Sequence, residues 1–265
     1  MSLRPATRDD LAAIAELFGS VEEAVTGRPS RLDALAVDGW LQTISFETNT
    51  WLLEEDGRLV AGAFAQRFGD VGNSAGAVRP EAWGRGLGGQ ILQIVEQRLA
   101  DEGADRIHSW TVAGDAAADD LLRGRGFREA RRFWEMGVEL ATDPPEPSVP
   151  IESFVEEDAP SFHAALEESF ADHWEHSPEP FEEWWTRQAR RANFDPSLWF
   201  VIRDAGEVAG VVRNEARPPV GWVGALGVRR AWRGRGFGRA LLHHSFREFR
   251  RRGMTRAALG VDAAN

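Results

Sequence analysis

The chain has 265 residues, enough for two domains that each bury a core. Asp and Glu number 42 against 31 basic residues, and the net charge of -11 repels nucleic acid and anionic lipid at long range. Every basic residue is Arg, and Lys, Cys and Tyr are missing, which excludes lysine Schiff bases, a Walker-type lysine, thiolate nucleophiles, disulfides and thiolate metal sites.

The N-terminus meets Asp9 and Asp10 before any apolar stretch develops, unlike a secretory leader, and no run long enough to span a membrane follows. The expected setting is the cytoplasm, with neither membrane nor nucleic acid as a partner. Asp9, Leu11, Ile14, Leu17 and Phe18 have the acidic start and apolar spacing of an amphipathic helix. Trp51-Leu-Leu and Asp56-Gly-Arg-Leu-Val-Ala-Gly62 predict two strands around a tight turn, and a third strand ends at Val78. A glycine segment then leads into a helix with apolar residues at Leu87, Ile91, Leu92, Val95 and Leu99, stopping near Gly103. Arg106 to Val112 reads as another strand. Pro144, Pro145, Pro147 and Pro150 make residues 141–150 a linker.

Beyond the linker the order recurs. Val78-Arg-Pro-Glu-Ala-Trp-Gly-Arg-Gly-Leu-Gly88 returns as Val228-Arg-Arg-Ala-Trp-Arg-Gly-Arg-Gly-Phe-Gly238, a shift of 228 - 78 = 150. Upstream, Asp56 to Gly62 returns as Asp204 to Gly210, a shift of 204 - 56 = 148, which a two-residue loop difference accounts for. The expected fold is α/β, two tandem units each with a mixed central sheet flanked by helices. Residues 1–140 and 151–265 form the units, and the second lacks a counterpart of residues 116–140, as if its chain continued past Asn265.

A strand that delivers Arg233-Gly-Arg-Gly-Phe-Gly238 straight into a helix N-terminus predicts an anion site made of unpaired backbone N-H groups, sized for a pyrophosphate. Nucleotides are the runner-up ligands, yet neither the dinucleotide glycine spacing nor a Gly-Lys-Ser/Thr sequence is present.

These residues resemble the GNAT superfamily of acyl-CoA-dependent N-acyltransferases, whose Arg/Gln-x-x-Gly-x-Gly/Ala segment is matched by Arg233, Gly236 and Gly238. The resemblance covers nearly the whole chain. It implies acetyl-CoA as cosubstrate with no metal, a small-molecule primary amine as acceptor, and direct attack of that amine on the thioester in a ternary complex. A homodimer is an admissible assembly. The implied cofactor contacts are Leu226, Gly227, Val228, Arg233, Gly234, Arg235, Gly236, Phe237, Gly238, Arg239 and Asn265. In the first copy they are Val78, Arg85, Gly86, Leu87 and Gly88. Val228 is the candidate N-H for the oxyanion.

The departures are specific. The position of the family's usual acid, a Tyr, is Leu122 here, and Trp83 replaces the Arg or Gln of the motif, so the first copy reads as degenerate. The tandem architecture resembles the mycothiol synthase group of the family, whose acidic residue near Trp222 has no counterpart on Val220 to Val228. For proton handling the candidates are His173 and Glu175, within Asp172-His-Trp-Glu-His176, and Asp262. That segment reads equally as a solvated loop, and a metal role for His173 and His176 lacks further ligands. Trp174, Trp184 and Trp185 line an acceptor pocket or, as the favoured reading, pack in the core. His243 and His244 read as surface residues, and Arg250 to Arg252 as a solvated basic helix end. The alternative to an enzyme is a catalytically weak acyl-CoA-binding or sensing module; a nucleotide-binding regulator is a third reading.

Overall fold

The structure is a computed structural model that describes every residue except 42–43, 175, 192–193 and 265. Two compact units divide the chain, Met1–Glu129 and Ala130–Asn265, each with one mixed sheet between helices. Among the described residues no helix is long and apolar enough to cross a membrane.

The first unit runs β1 (Ser2–Arg4), α1 (Leu11–Thr26), α2 (Ala34–Leu41), α3 (Phe46–Asn49), β2 (Thr50–Glu55), β3 (Arg58–Phe68), β4 (Val71–Val78), α4 (Leu87–Asp101), β5 (Arg106–Trp110) and α5 (Ala116–Gly124). Its strands lie in chain order, antiparallel except for the parallel β4–β5 pair. The predicted apolar stripes sort the helices onto opposite faces. A Cβ on Gly62 would come within 3.2 Å of Leu17 on α1, whereas one on Gly72, on the other face, would run into Leu99 of α4 at 2.6 Å. All five apolar residues expected to anchor α4 are buried, so both sheet faces are covered as a parallel pair requires.

The second unit runs β6 (Phe133–Glu139), β7 (Glu152–Ser153), α6 (Ala159–Phe170), α7 (Phe181–Ala189), β8 (Trp199–Asp204), β9 (Glu207–Arg217), β10 (Val220–Val228), α8 (Phe237–Arg251) and β11 (Arg256–Asp262). Its sheet order is β6-β11-β10-β9-β8-β7. Gly221 faces α8, where an added Cβ would meet the Phe249 ring, and Gly227 faces α6, where it would meet Ser169. Aromatic rings of Phe154, Phe162, Trp184, Trp185 and Trp199 interlock beneath α6, so Trp184, 5% exposed, is core.

Two expectations from the repeat need correction. The first unit ends at Glu129 rather than near Leu140, because β6 pairs antiparallel along the whole of β11, from Arg256↔Glu139 to Asp262↔Phe133. A strand placed before the proline linker thus closes the second sheet. The change of offset is also not a loop difference. The β3–β4 turn (Phe68↔Val71) and the β9–β10 turn (Arg217↔Val220) have equal lengths. The β2–β3 and β8–β9 turns correspond at Asp56 and Ala205, both with φ of 51°, a shift of 205 - 56 = 149. The step from 149 to 150 is a β-bulge in β10 between Val223 and Ala225, so the extra residue is Gly224; β4 runs through the same place without a shift.

Candidate functional site

In both units the parallel pairing stops short of the strand end. β4 and β5 part after Ala75↔Trp110, and β10 and β11 part after Val223↔Leu259, while β4 and β10 stay paired to β3 and β9 as far as Val78 and Val228. The result is a wedge beside each strand tip. Arg79 N-H bonds Val60 O (2.9 Å) and Arg229 N-H bonds Ala209 O (3.0 Å). Polar groups alternate sides along an antiparallel strand, so the N-H and C=O of Val78 and Val228 point away from that ladder, into the wedge. Leu226 shares that orientation. Gly227 does not: its carbonyl faces β9, and its lack of a Cβ lets α6 approach.

Each wedge opens onto a glycine turn. Gly84, Gly86, Gly234 and Gly236 have φ of +74°, +78°, +77° and +84°, and a Cβ added at any of them would meet nothing within 4 Å. The first helical bonds are Gln90 N-H to Gly86 O and Ala240 N-H to Gly236 O. The preceding amides, including those of Leu87, Gly88, Phe237, Gly238 and Arg239, have no intrahelical acceptor and face open space at a positive helix end. That arrangement fits a diphosphate. Arg85 is held off the turn by two 2.8 Å bonds to Glu55, and Arg235 by a 3.1 Å bond to Asp204. The Arg233 side chain folds back, donating to Val228 O and to Ser169 O at 3.2 Å each. Of the expected cofactor contacts, Asn265 lies outside the described residues.

On the α6 side of β9, Arg213, Glu215 and Arg217 alternate along one face, and Glu215 pairs with Trp222 across the ladder. Its carboxylate is 4% exposed and contacts Arg191 (2.6 Å), Arg213 (2.8 Å) and Arg217 (2.6 Å). Burial pushes Glu215 up, but Arg213, Arg191 and Arg217 together outweigh it and leave the carboxyl below its ordinary value. Arg213 is itself brought down to about 10 by burial, against the pull of Glu215. A Cβ at Gly224 would come within 3.0 Å of the Arg213 guanidinium and 3.1 Å of the Glu215 carboxylate. The bulge therefore seats the strand directly over this cluster. An acidic residue does lie beside Trp222, on the neighbouring strand. Its signal in the sequence is the charged alternation at 213, 215 and 217, a strand with charge on one face.

Asp262 ends β11 with its side chain 12% exposed, accepting the Ala264 N-H (2.8 Å) and lying 3.7 Å from Arg131. The Arg131 guanidinium also sits 5.7 Å from the Trp174 ring. Arg131, unremarkable in the sequence, thus ties the loop after α6 to the tip of β11. In that loop His173 is exposed and packs on Phe170 at 4.5 Å, His176 meets Glu167 at 3.1 Å, and Glu175 lies outside the described residues. Among the described residues no cluster of three His, Asp or Glu side chains is placed to hold a metal. His243 and His244 are half-buried; His244 stands edge-on to Phe200 at 4.3 Å, and partial burial lowers its basicity. Arg250 to Arg252 are ion-paired, to Asp143, to Glu248, and to Glu248 with Asp195.

The first unit contains a cavity of about 940 Å³ that passes from Ile91, Leu92 and Val95 on α4, beside the glycine turn and Leu121 and Leu122 of α5, through the wedge to Phe18, Trp40 and Phe64 on the α1 side. Trp83 Nε1 donates to Val78 O at 2.6 Å at its rim.

The profile of the acetyltransferase (GNAT) family matches residues 16–127 and again 159–265. A mycothiol acetyltransferase of Thermobispora bispora is 32% identical over 227 residues, covering 81% of this chain and 75% of that protein. One from Nocardia farcinica is 33% identical over 232 residues, covering 81% and 74%. Among solved structures, a GCN5-related N-acetyltransferase from Sphaerobacter thermophilus superposes with a TM-score of 0.85 at 29% identity, covering 99% of this chain and 86% of that one. A tandem GNAT protein of the clavulanic acid biosynthesis pathway, at 15% identity, shares the fold with a TM-score of 0.70 over 100% of this chain and 90% of its own.

Proposed function

Because the chain belongs to the GNAT acetyltransferase family, we propose that its second unit transfers acetyl from acetyl-CoA to the primary amine of a small molecule, by direct attack in a ternary complex. The observation that carries this reading is the polarity of β10: Val228 N-H is directed into the wedge, behind a glycine turn whose amides suit the diphosphate. The thioester carbonyl lies along β10, the amine enters from the α6 side, and the lone pair of nitrogen attacks the carbonyl carbon. The C–N bond forms, the C–S bond breaks, and the Val228 N-H stabilises the developing oxyanion. The ammonium nitrogen gives up two protons, one before attack and one as the amide forms; one equivalent ends on the departing sulfur and the other is released to solvent. We assign proton handling to Asp262, at the end of β11, and to His173 and Glu175, from the sequence between α6 and α7. Glu215 is unsuited to that task, since three guanidiniums hold it ionised and far from neutral basicity.

The acetyltransferase family supports acetyl-CoA as cosubstrate; the relatives' names bring the amine acceptor of mycothiol acetyltransferases into consideration. The test is thiol release from acetyl-CoA across a panel of amines that includes that acceptor. Saturable acetyl-CoA binding with no thiol released over hours would replace the enzyme reading with a binding or sensing module.

A further inference from the structure

We propose that the first unit is a binding site for a fatty acyl thioester of coenzyme A, with a chain longer than acetyl, and that it holds this ligand without transferring the acyl group. The proposal rests on the reading that the turn at Gly84–Gly88 holds the diphosphate, and it concerns what lies beyond that turn.

Three observations lead there. The cavity does not end at the wedge, where an acetyl group would end. It continues through the sheet to a cup of three rings, Phe18, Trp40 and Phe64, with centroids 5.7 to 6.1 Å apart. At about 940 Å³ it lies at the upper end of the range for small-molecule sites, about 300–1,000 Å³. The second observation is the contrast between copies. Phe64 pairs with Ala75 and Arg213 pairs with Ala225, so Phe64 and Arg213 occupy the same register position on the same face. Ring and apolar wall in one unit stand where the other has a buried guanidinium–carboxylate cluster. A polar acceptor suits the second arrangement and an alkyl chain the first. The third concerns proton transfer. The one titratable side chain among the described residues lining the cavity is Asp115, and its carboxylate accepts the Ala118 N-H at 2.9 Å as the cap of α5. With Asp115 engaged as a cap and Leu122 in the lining, no described lining side chain is placed to deprotonate an ammonium or protonate a thiolate.

The experiment uses the full chain carrying Gly236→Leu, which closes the second turn, and titrates CoA, acetyl-CoA, butyryl-CoA, hexanoyl-CoA and octanoyl-CoA by calorimetry. The expected result is one site whose affinity rises with chain length, approaching fourfold per added methylene, the ratio for burying one CH2, with no free thiol formed in the presence of amines. Phe64→Arg should abolish the chain-length dependence while leaving CoA itself bound. Trp40→Lys, at a ring already 43% exposed, serves the same purpose should the first substitution unfold the unit. CoA binding with equal affinity for every chain overturns the proposal and leaves the diphosphate reading intact. No binding of CoA or any thioester overturns both.

Discussion

Trp83 and Arg233 do the same thing with different chemistry. Each follows its strand tip by five residues, and each donates a ring or guanidinium N-H to the carbonyl of that tip, Trp83 Nε1 to Val78 O at 2.6 Å and Arg233 Nε to Val228 O at 3.2 Å. The departure from the Arg/Gln motif that marks the first copy as degenerate in the sequence preserves the donor in space. Substituting Arg233→Ala should weaken acetyl-CoA binding to the second unit about five- to tenfold, the loss of roughly one hydrogen bond. Arg233→Trp should recover most of it. Calorimetric titration distinguishes this from a direct Arg–phosphate contact, for which Trp would fare no better than Ala.

Gly236 holds φ of +84° at the start of α8. A leucine there carries the left-handed penalty of about 1–2 kcal/mol and lays a side chain over the turn amides. Gly236→Leu should therefore lower thermal stability modestly and eliminate acetyl-CoA binding and thiol release in the second unit. Gly236→Asn, which tolerates that conformation better, should regain most of the stability. Unchanged affinity in the leucine variant would place the diphosphate elsewhere.

The Glu215 carboxylate lies among Arg191, Arg213 and Arg217, all within 2.8 Å. Removing its charge takes an ion-pair partner from three guanidiniums, the buried Arg213 among them, and Glu215→Gln should cost about 3–5 kcal/mol in chemical denaturation. Its folded value lies below the ordinary 4.5. The stabilisation is present above that ordinary value and fades as pH drops below it, so the penalty of the variant should shrink in acid.

Asp10 anchors the first unit's N-terminus. Arg4 bonds it through both terminal nitrogens (2.8 and 2.7 Å) and the Thr7 N-H adds a third bond (2.8 Å). The Arg4 bonds are the main reason the carboxyl falls from 3.8 to about 2, with burial opposing them. Such a group stabilises the fold fully above its unfolded value and loses the contribution as pH falls towards 2. Asp10→Asn should cost about 1–2 kcal/mol near neutrality after solvent screening of the partly exposed Arg4, and almost nothing at pH 2. Urea denaturation at the two pH values measures both.

The repeat was legible because glycines at the turns have no substitute: 84, 86, 234 and 236 all carry positive φ, and a strand, turn and helix follow from their spacing. The helix faces were legible from period, as Ile91, Leu92, Val95 and Leu99 show. Gly224 was not, since one extra residue inside a strand leaves no turn signature and is absorbed into the alignment offset. The cluster around Glu215 was hidden for another reason. Glu215 and Arg191 are 24 residues apart, and their meeting depends on how the segment after α7 returns over β9. Arg131 fell in a stretch with no motif, and only the pairing of β6 with β11 reveals what it reaches.

That pairing sets an order of events during synthesis. Phe133 leaves the ribosome 262 - 133 = 129 residues before its partner Asp262, so β6, with Phe133, Trp134, Met136 and Val138 exposed even in the finished fold, must wait unpaired while nearly all of its unit is made. A nascent chain in that interval presents an apolar edge to its neighbours. Fragments begun after the proline linker would lack this edge-closing strand altogether and leave β11 as the new open template, whereas a cut between Glu129 and Ala130 keeps each sheet whole.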